Sequence, residues 1–253
     1  MRIIVPAAGS GHRFRSQGYA TPKPLIPVLG KPMIQHVLDV LYMYDSALLP
    51  LVLCRTEDYA AMAHVLCKLK NTYGVQLRSI PYAQAGAALT VLCANGQVHD
   101  AEPVLVVDAD NIYTASHVAN FMQWLAQKRM VSTAGILTTK APQGAAQYSY
   151  VHALERSGRV IEVAEKVHIG NRITCGMNYW PSWAALRGAI CNMVKNDDRV
   201  NGEFYLAPAF NYGAQPAYCF DIPPTAFRTV GTPEDLKNYE DEVKPCNQPT
   251  QNL

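Results

Sequence analysis

The sequence predicts an α/β fold, a mostly parallel sheet covered by helices on both faces. Three observations lead there. Strand-length apolar runs alternate with helical spacing through the first half of the 253-residue chain. The run from Ile3 to Val5 passes directly into a turn containing Gly9 and Gly11. The run from Val104 to Val107 ends abruptly in Asp108 and Asp110. Ligands of open α/β sheets bind beyond the carboxyl ends of the strands, so both endings point into one crevice.

After the opening strand and its loop, Ile34, Val37, Leu38, Leu41 and Tyr42 recur at helical spacing, which makes 33–44 an amphipathic helix. A strand is expected over 51–54, a helix over 57–70, a strand over 75–80 and a helix over 87–95 opened by Gly86. The strand that ends at the carboxylates is followed by a helix over 115–129. The second half changes character. A strand over 132–138 leads to one over 150–154, and Ser157-Gly158 reads as the turn of a hairpin returning through 160–163. A strand over 174–180, helices over 182–194 and 204–212, and short strands near 217–221 and 227–230 complete the expected sheet. Thr232, Pro233, Glu234 and Asp235 supply an N-cap, a first-turn proline and early acids, so a last helix starts there. One domain over 1–243 is expected, with a frayed tail over 244–253.

Composition narrows the function. A net charge of +2 is too small to argue for nucleic acid or an anionic membrane surface. No apolar run approaches the roughly 20 residues of a membrane span, and the first strand begins too early for a signal peptide. Seven cysteines form no Cys-x-x-Cys pair and are odd in number, as expected of reduced residues in the cytoplasm. The 17 prolines and 16 glycines are dispersed, so no linker is visible.

The turn after the first strand reads as a phosphate site. Glycines there let backbone N–H groups approach an anion, and Arg13 and Lys23 follow. A P-loop would need Gly-Lys-Ser/Thr after the second glycine, and a dinucleotide fingerprint would need a third glycine; neither is present. Asp110, a carboxylate at a strand end facing a polyphosphate, suits Mg²⁺; as an isolated residue it reads more readily as an acidic cap for the helix over 115–129. Gln84, Gly86 and Ala87 open a helix whose N-terminus faces the same crevice, with an ordinary glycine turn as the alternative.

Gly9-x-Gly11-x-Arg13, a gap, then Pro22-Lys23-Pro24-Leu25 resembles the signature of the sugar-1-phosphate nucleotidylyltransferases, the NDP-sugar pyrophosphorylases. Gly18-Tyr19 before Pro22 is similar to the short bacterial members found with capsule and surface-polysaccharide genes. The resemblance implies a Rossmann-like, GT-A-like nucleotide-diphospho-sugar transferase fold with a smaller acceptor-binding α+β part. The nucleotide half would run to about residue 130 and the acceptor half over 131–243. It assigns Ala8, Gly9, Ser10 and Gly11, with Gln84, Gly86, Ala87 and Asp108, to the nucleotide. Arg13, Lys23 and Asp110 become the catalytic set, with Asp110 as the Mg²⁺ ligand and Asp108 as a second candidate. Glu165, Lys166, Gly176, Asn178 and Glu203 fall on the acceptor, a sugar phosphate or similar small molecule. Three departures stand out: Ala109 replaces a glycine, Val167 a proline, and Thr229 a second metal-binding aspartate of the closing Gly231-Thr232-Pro233-Glu234-Asp235-Leu236 segment.

The expected activity is therefore transfer of a nucleotidyl group from an NTP to a phosphorylated acceptor with release of pyrophosphate, in the cytoplasm, without nucleic-acid or membrane partners. The oligomeric state stays open, a homo-oligomer included. Two alternatives also remain: a glycosyltransferase using Asp108-x-Asp110 on an NDP-sugar, and a catalytically inactive nucleotide-binding homologue, to which Thr229 and Val167 point.

Overall fold

Strand and helix alternate along the chain much as their patterns require. The computed structural model describes residues 1–81, 83–127, 132–144 and 147–243. In order, the elements are β1 (Arg2–Ala7), α1 (His12–Arg15), β2 (Pro27–Val28), β3 (Lys31–Pro32), α2 (Met33–Tyr44), β4 (Leu51–Arg55), α3 (Thr56–Tyr73), β5 (Gln76–Ile80), α4 (Ala87–Leu92), β6 (Val104–Val107), β7 (Asn111–Tyr113), α5 (Ala115–Gln127), β8 (Ala134–Lys140), β9 (Ser149–Ala153), β10 (Val160–Glu165), β11 (Arg172–Trp180), α6 (Trp183–Lys195), β12 (Ala217–Ile222), β13 (Phe227–Thr229) and α7 (Pro233–Val243). Short 3-10 turns lie at Lys23–Leu25, Ala207–Tyr212 and Pro224–Ala226.

The nine-stranded central sheet is parallel where the first half builds it, in the order β6-β1-β4-β5, with Ile3 beside Leu105 and Ile4 beside Leu51. The second half then adds β11 antiparallel to β6, and β8 follows, antiparallel to β11 and parallel to β12. The β9–β10 hairpin branches from the start of β11.

Side-chain alternation divides the interior into two layers. Ile3, Val5 and Ala7 of β1 face one core with Ile34, Val37, Leu38 and Leu41 of α2 and Val118, Phe121, Met122 and Leu125 of α5. Ile4 faces the other, with Val91 of α4 and Leu186, Ala189, Ile190 and Met193 of α6. Tyr42, expected in the α2 stripe, is exposed and meets Tyr73 edge-on. A smaller third core joins Phe14, Ile26, Val28 and Met33 to Val230 and Leu236, tying the loop after β1 to the closing segment. No described helix is long and apolar enough to cross a membrane.

Several boundaries differ from expectation for local reasons. The helix expected over 87–95 ends at Leu92, because Cys93 N and Ala94 N donate to Thr90 and Val91 and tighten the chain into a turn. The helix expected over 204–212 is a 3-10 turn beginning at Ala207; Pro208 removes a donor, and Phe204 is held elsewhere. Asn201 and Gly202 both have positive φ and form a tight turn closed by reciprocal bonds between Val200 and Glu203. The β7–β13 ribbon, which pairs Asn111 with Thr229, was not expected as a pair. The end of the helix expected to reach residue 129 and the tail over 244–253 lie outside the described residues.

Gly86 shows how the halves are locked. Its φ is 107°, and an added Cβ would lie 2.3 Å from the Phe204 carbonyl oxygen and 2.6 Å from its nitrogen. Phe204 N donates to Ala85 O, and Ala88 N donates to Phe204 O, at 2.9 and 3.1 Å. Gly86→Ala should therefore destabilise the fold by about 2–4 kcal/mol, since an unfavourable φ and a backbone clash add. Gly188→Ala, on the exposed face of α6 with nothing near the added methyl, should be neutral or stabilising by up to about 1 kcal/mol. Urea unfolding of the two variants checks the opposite signs.

Candidate active site

The glycine turn is built by one strained position. Gly11 is left-handed, with φ 64° and ψ 22°, and caps α1; Phe14 N and Arg15 N both donate to its carbonyl at 3.0 Å. A Cβ there would come within 3.2 Å of Lys23 Cβ, so the glycine brings the lysine stem against the loop. Phe14 is buried in the third core, which turns its neighbour Arg13 outward to the cleft.

The floor is made by the end of β6. Asp108 N donates to Gly176 O at 2.9 Å, and Val230 N donates to Asp110 O at 2.9 Å, so both acidic residues are held by their main chain. Gly176, φ 74°, sits in a bulge of β11 where a Cβ would strike Asp108 Oδ2 at 2.5 Å and Asn111 Nδ2 at 2.4 Å. Asn111 Nδ2 and the Tyr113 hydroxyl donate to Cys175 O at 3.4 and 2.6 Å and pin that bulge. Gly231 leaves room on the other side, since a Cβ there would be 2.9 Å from Asp110 Oδ2.

Charge on this floor is unequal. Lys23 Nζ donates to Asp110 Oδ2 at 2.6 Å. Burial alone would raise the Asp110 carboxyl; the Lys23 ammonium and its hydrogen bond, with Arg13 farther off, outweigh it and hold the group below the usual carboxylate range. Burial and the Asp110 charge push the Asp108 carboxyl up, against the pull of Lys23.

Beside the cleft, Glu165 ends β10 almost fully buried and accepts a short bond from Ser149 Oγ. Burial pushes its carboxyl up, with Ser149 and Lys166 opposing. Lys166 is left-handed at φ 59°; its Nζ lies 3.9 Å from Glu165 Oε1 and donates to the Tyr205 hydroxyl at 2.5 Å.

Gly9, Ser10, Gly11, Arg13, Lys23, Gln84, Gly86, Ala87, Asp108, Asp110 and Glu203 all line one cleft of about 320 Å³. Ala8 is buried immediately behind it. Glu165 and Lys166 adjoin it through Tyr205, which lines it, and Gly176 lies behind Asp108. Asn178 is not brought there. It is 2% exposed, paired with Val106 and Ile136, and the two-residue period of β11 directs it to the α6 side. Thr229 lines a separate cavity of about 300 Å³, and its hydroxyl accepts from Gly231 N at 3.3 Å. Tyr205 and Thr90 line the cleft without having been given a role; the first stands in the Gly202-Glu203-Phe204-Tyr205-Leu206 segment that resembles the family's Gly-Glu-x-Tyr-Leu, and nothing local marked the second.

The profile of the Nucleotidyl transferase family matches residues 2–243. The chain belongs to that family. Among individual proteins, the chain is 26% identical over 216 residues to the bifunctional protein GlmU of Cupriavidus metallidurans, covering 81% of this chain and 43% of that one. It is 24% identical over 183 residues to the mannose-1-phosphate guanylyltransferase catalytic subunit beta of Dictyostelium discoideum, covering 70% and 48%. The chain thus spans less than half the length of these relatives. Its fold matches the nucleoside-diphosphate-sugar pyrophosphorylase from Vibrio cholerae RC9 with a TM-score of 0.80 at 19% identity, covering 94% of this chain and 99% of that one.

The donor set at the cleft floor fits Mg²⁺. Asp108 and Asp110 present hard oxygens at the cleft floor, and among the described residues no group of three or more His, Cys, Asp or Glu side chains is arranged to hold an ion alone. One or two carboxylates completed by phosphate oxygens and water is how Mg²⁺ is commonly held.

The crowded floor also has a thermodynamic signature. The folded chain favours protonated Asp108, whose carboxyl lies above its ordinary 3.8. It therefore binds more protons than the unfolded chain above that pH, and the contribution to stability falls as pH rises from there toward neutrality. Asp108→Asn should remove this slope and, in metal-free buffer at about pH 7, be more stable than wild type. Urea midpoints across the acid-to-neutral range check it; an unchanged slope would show that Asp108 is ionised without penalty.

Proposed function

We propose that this chain joins an NTP to a sugar phosphate, releasing pyrophosphate and giving an NDP-sugar for surface-glycan synthesis in the cytoplasm. The supporting observation is that the glycine turn, Arg13, Lys23 and the two strand-end carboxylates line a single cleft. An acceptor phosphate oxygen forms a bond to the α-phosphorus as the bond to the bridging oxygen of pyrophosphate breaks, in line and with no covalent enzyme intermediate. Arg13, Lys23 and the N–H groups of the glycine turn balance charge on the triphosphate and the departing pyrophosphate. Mg²⁺, when bound, supplies further positive charge between the phosphates, held by Asp110 with help from Asp108. Gln84 and the Gly86 turn border the base, at the edge nearest β5.

The acceptor takes the other side. Lys166 orients its phosphate, with the ammonium positioned by Tyr205, while Glu165 and Glu203 accept from hydroxyls of the sugar. A glycosyltransferase acting on an NDP-sugar would have no γ-phosphate for two cations to hold, which leaves Arg13 and Lys23 unexplained on that reading.

A matrix of NTPs against phosphorylated acceptors, read by pyrophosphate release, tests the assignment; sugar transfer from an NDP-sugar instead would overturn it. Arg13→Ala and Lys23→Ala should each lower turnover by roughly 10² or more with the fold intact, the scale for removing a preorganised charge. Near-normal turnover in both would remove the glycine turn from the site.

Lys166→Ala separates the two substrates. Its charge acts on one of them, so kcat/KM for the acceptor should fall by at least about tenfold while NTP affinity changes little. Steady-state kinetics with each substrate varied in turn decides it, and an equal loss on the NTP side would put Lys166 in the wrong half of the cleft.

A further inference from the structure

Lys23 and Asp110 form a fixed pair between distant parts of the chain. The Nζ–Oδ2 separation is 2.6 Å, at the short end for a charge-assisted bond, and the side chains are only 22% and 26% exposed. Neither main chain is free to drift. Lys23 lies between two prolines in a 3-10 turn closed by Leu25 N to Pro22 O and Ile26 N to Lys23 O, and Asp110 O is held by Val230 N. The flexible part is the lysine's four-carbon stem, which runs beside Gly11.

The oxygen that Lys23 occupies is the one best placed to bind a divalent cation under the function proposed above, on which this inference rests. A hard ion sits about 2.0–2.1 Å from such an oxygen. An ammonium at 2.6 Å from the same atom would lie against it, two like charges in a partly buried site. We propose that Lys23 is a placeholder for the metal: it occupies Asp110 until a triphosphate draws its ammonium toward the glycine turn, so that the divalent cation binds firmly only together with nucleotide. The lysine thus has two positions in one cleft, and the triphosphate selects between them.

The consequence has an unusual sign: removing a cation strengthens binding of a cation. Mn²⁺ binding to the nucleotide-free full chain, followed by the electron paramagnetic resonance of the free ion, measures it. Lys23→Met and Lys23→Gln should each bind Mn²⁺ about tenfold or more tighter than wild type. The double variant Lys23→Met with Asp110→Asn should lose that gain. A non-reactive NTP analogue should raise the Mn²⁺ affinity of wild type more than that of either single variant. Two variants of different polarity guard against one failing to fold. Equal Mn²⁺ affinity of wild type and both single variants, or a gain that survives in the double variant, would overturn the proposal. Failure of the functional assignment looks different: no pyrophosphate from any substrate pair and no NTP-dependent Mn²⁺ binding in any protein, while the nucleotide-free comparison is read as before.

Discussion

Two carboxylates at the end of one buried strand set the terms for everything around them. Val104–Val107 is fully buried, so Asp108 and Asp110 leave the core side by side, and their mutual repulsion must be balanced by neighbours that cannot move away. The balance is built from backbone and cations. Gly176 O and Val230 N hold the two main chains, and the missing Cβ atoms of Gly176 and Gly231 make the space that the carboxylates fill. Lys23 then sits on one carboxylate and leaves the other pushed up. A floor arranged this way keeps one carboxylate ionised against Lys23 and disfavours charge on the other, so positive charge is concentrated beside the glycine turn, where an anion would be held.

The same economy couples the two sides of the cleft. Phe204 and Tyr205 are neighbours in sequence and do different things: the Phe204 peptide closes on the Gly86 turn, and the Tyr205 hydroxyl takes the Lys166 ammonium. Under the proposed function, a segment that moved to admit an acceptor would therefore disturb the turn proposed to border the base. This offers a physical route by which occupancy on one side is felt on the other without any long-range path, since the coupling element is two residues long.

Much of this was legible in the sequence, and what was missed shares a cause. β1, β4 and β6 and the helices between them announce themselves because burial on both faces of a parallel strand leaves continuous apolar runs, and each helix shows its own stripe. That the glycine turn and the acidic strand end meet in one cleft was legible because glycines and charges at the end of a buried run have few structural uses. The β7–β13 ribbon was not: three residues on each side carry no period, and their pairing is fixed by contacts more than a hundred positions apart. The bulge at Gly176 is likewise invisible locally, because its purpose is to clear Asp108 and Asn111. Asn178 shows the limit of motif transfer. Its strand neighbours Met177 and Tyr179 are buried in the opposite core layer, so a residue within β11 faces one core or the other.

The buried thiols are not poised as nucleophiles for this cleft. Burial pushes the thiols of Cys54, Cys93, Cys175 and Cys219 up, away from the thiolate form that attacks or ligates. None of the four lines the cleft, whose charged side chains include Arg13, Lys23, Asp108, Asp110 and Glu203 beside the glycine turn. In the reaction proposed for this cleft these groups fix where charges sit. The barrier to phosphoryl-group displacement is dominated by bringing anions together and by the charge that gathers on the leaving pyrophosphate, so positioned charge suffices to lower it. The two acids are held by main-chain bonds and glycine clearances, while the ammonium groups of Lys23 and Lys166 sit at the ends of long stems, paired with Asp110 and Tyr205. A fixed floor with a lysine on a flexible stem at each end suits the two-substrate displacement proposed above: fixed coordinates for the reacting phosphorus, and a charge for each anion on a side chain that can be redirected.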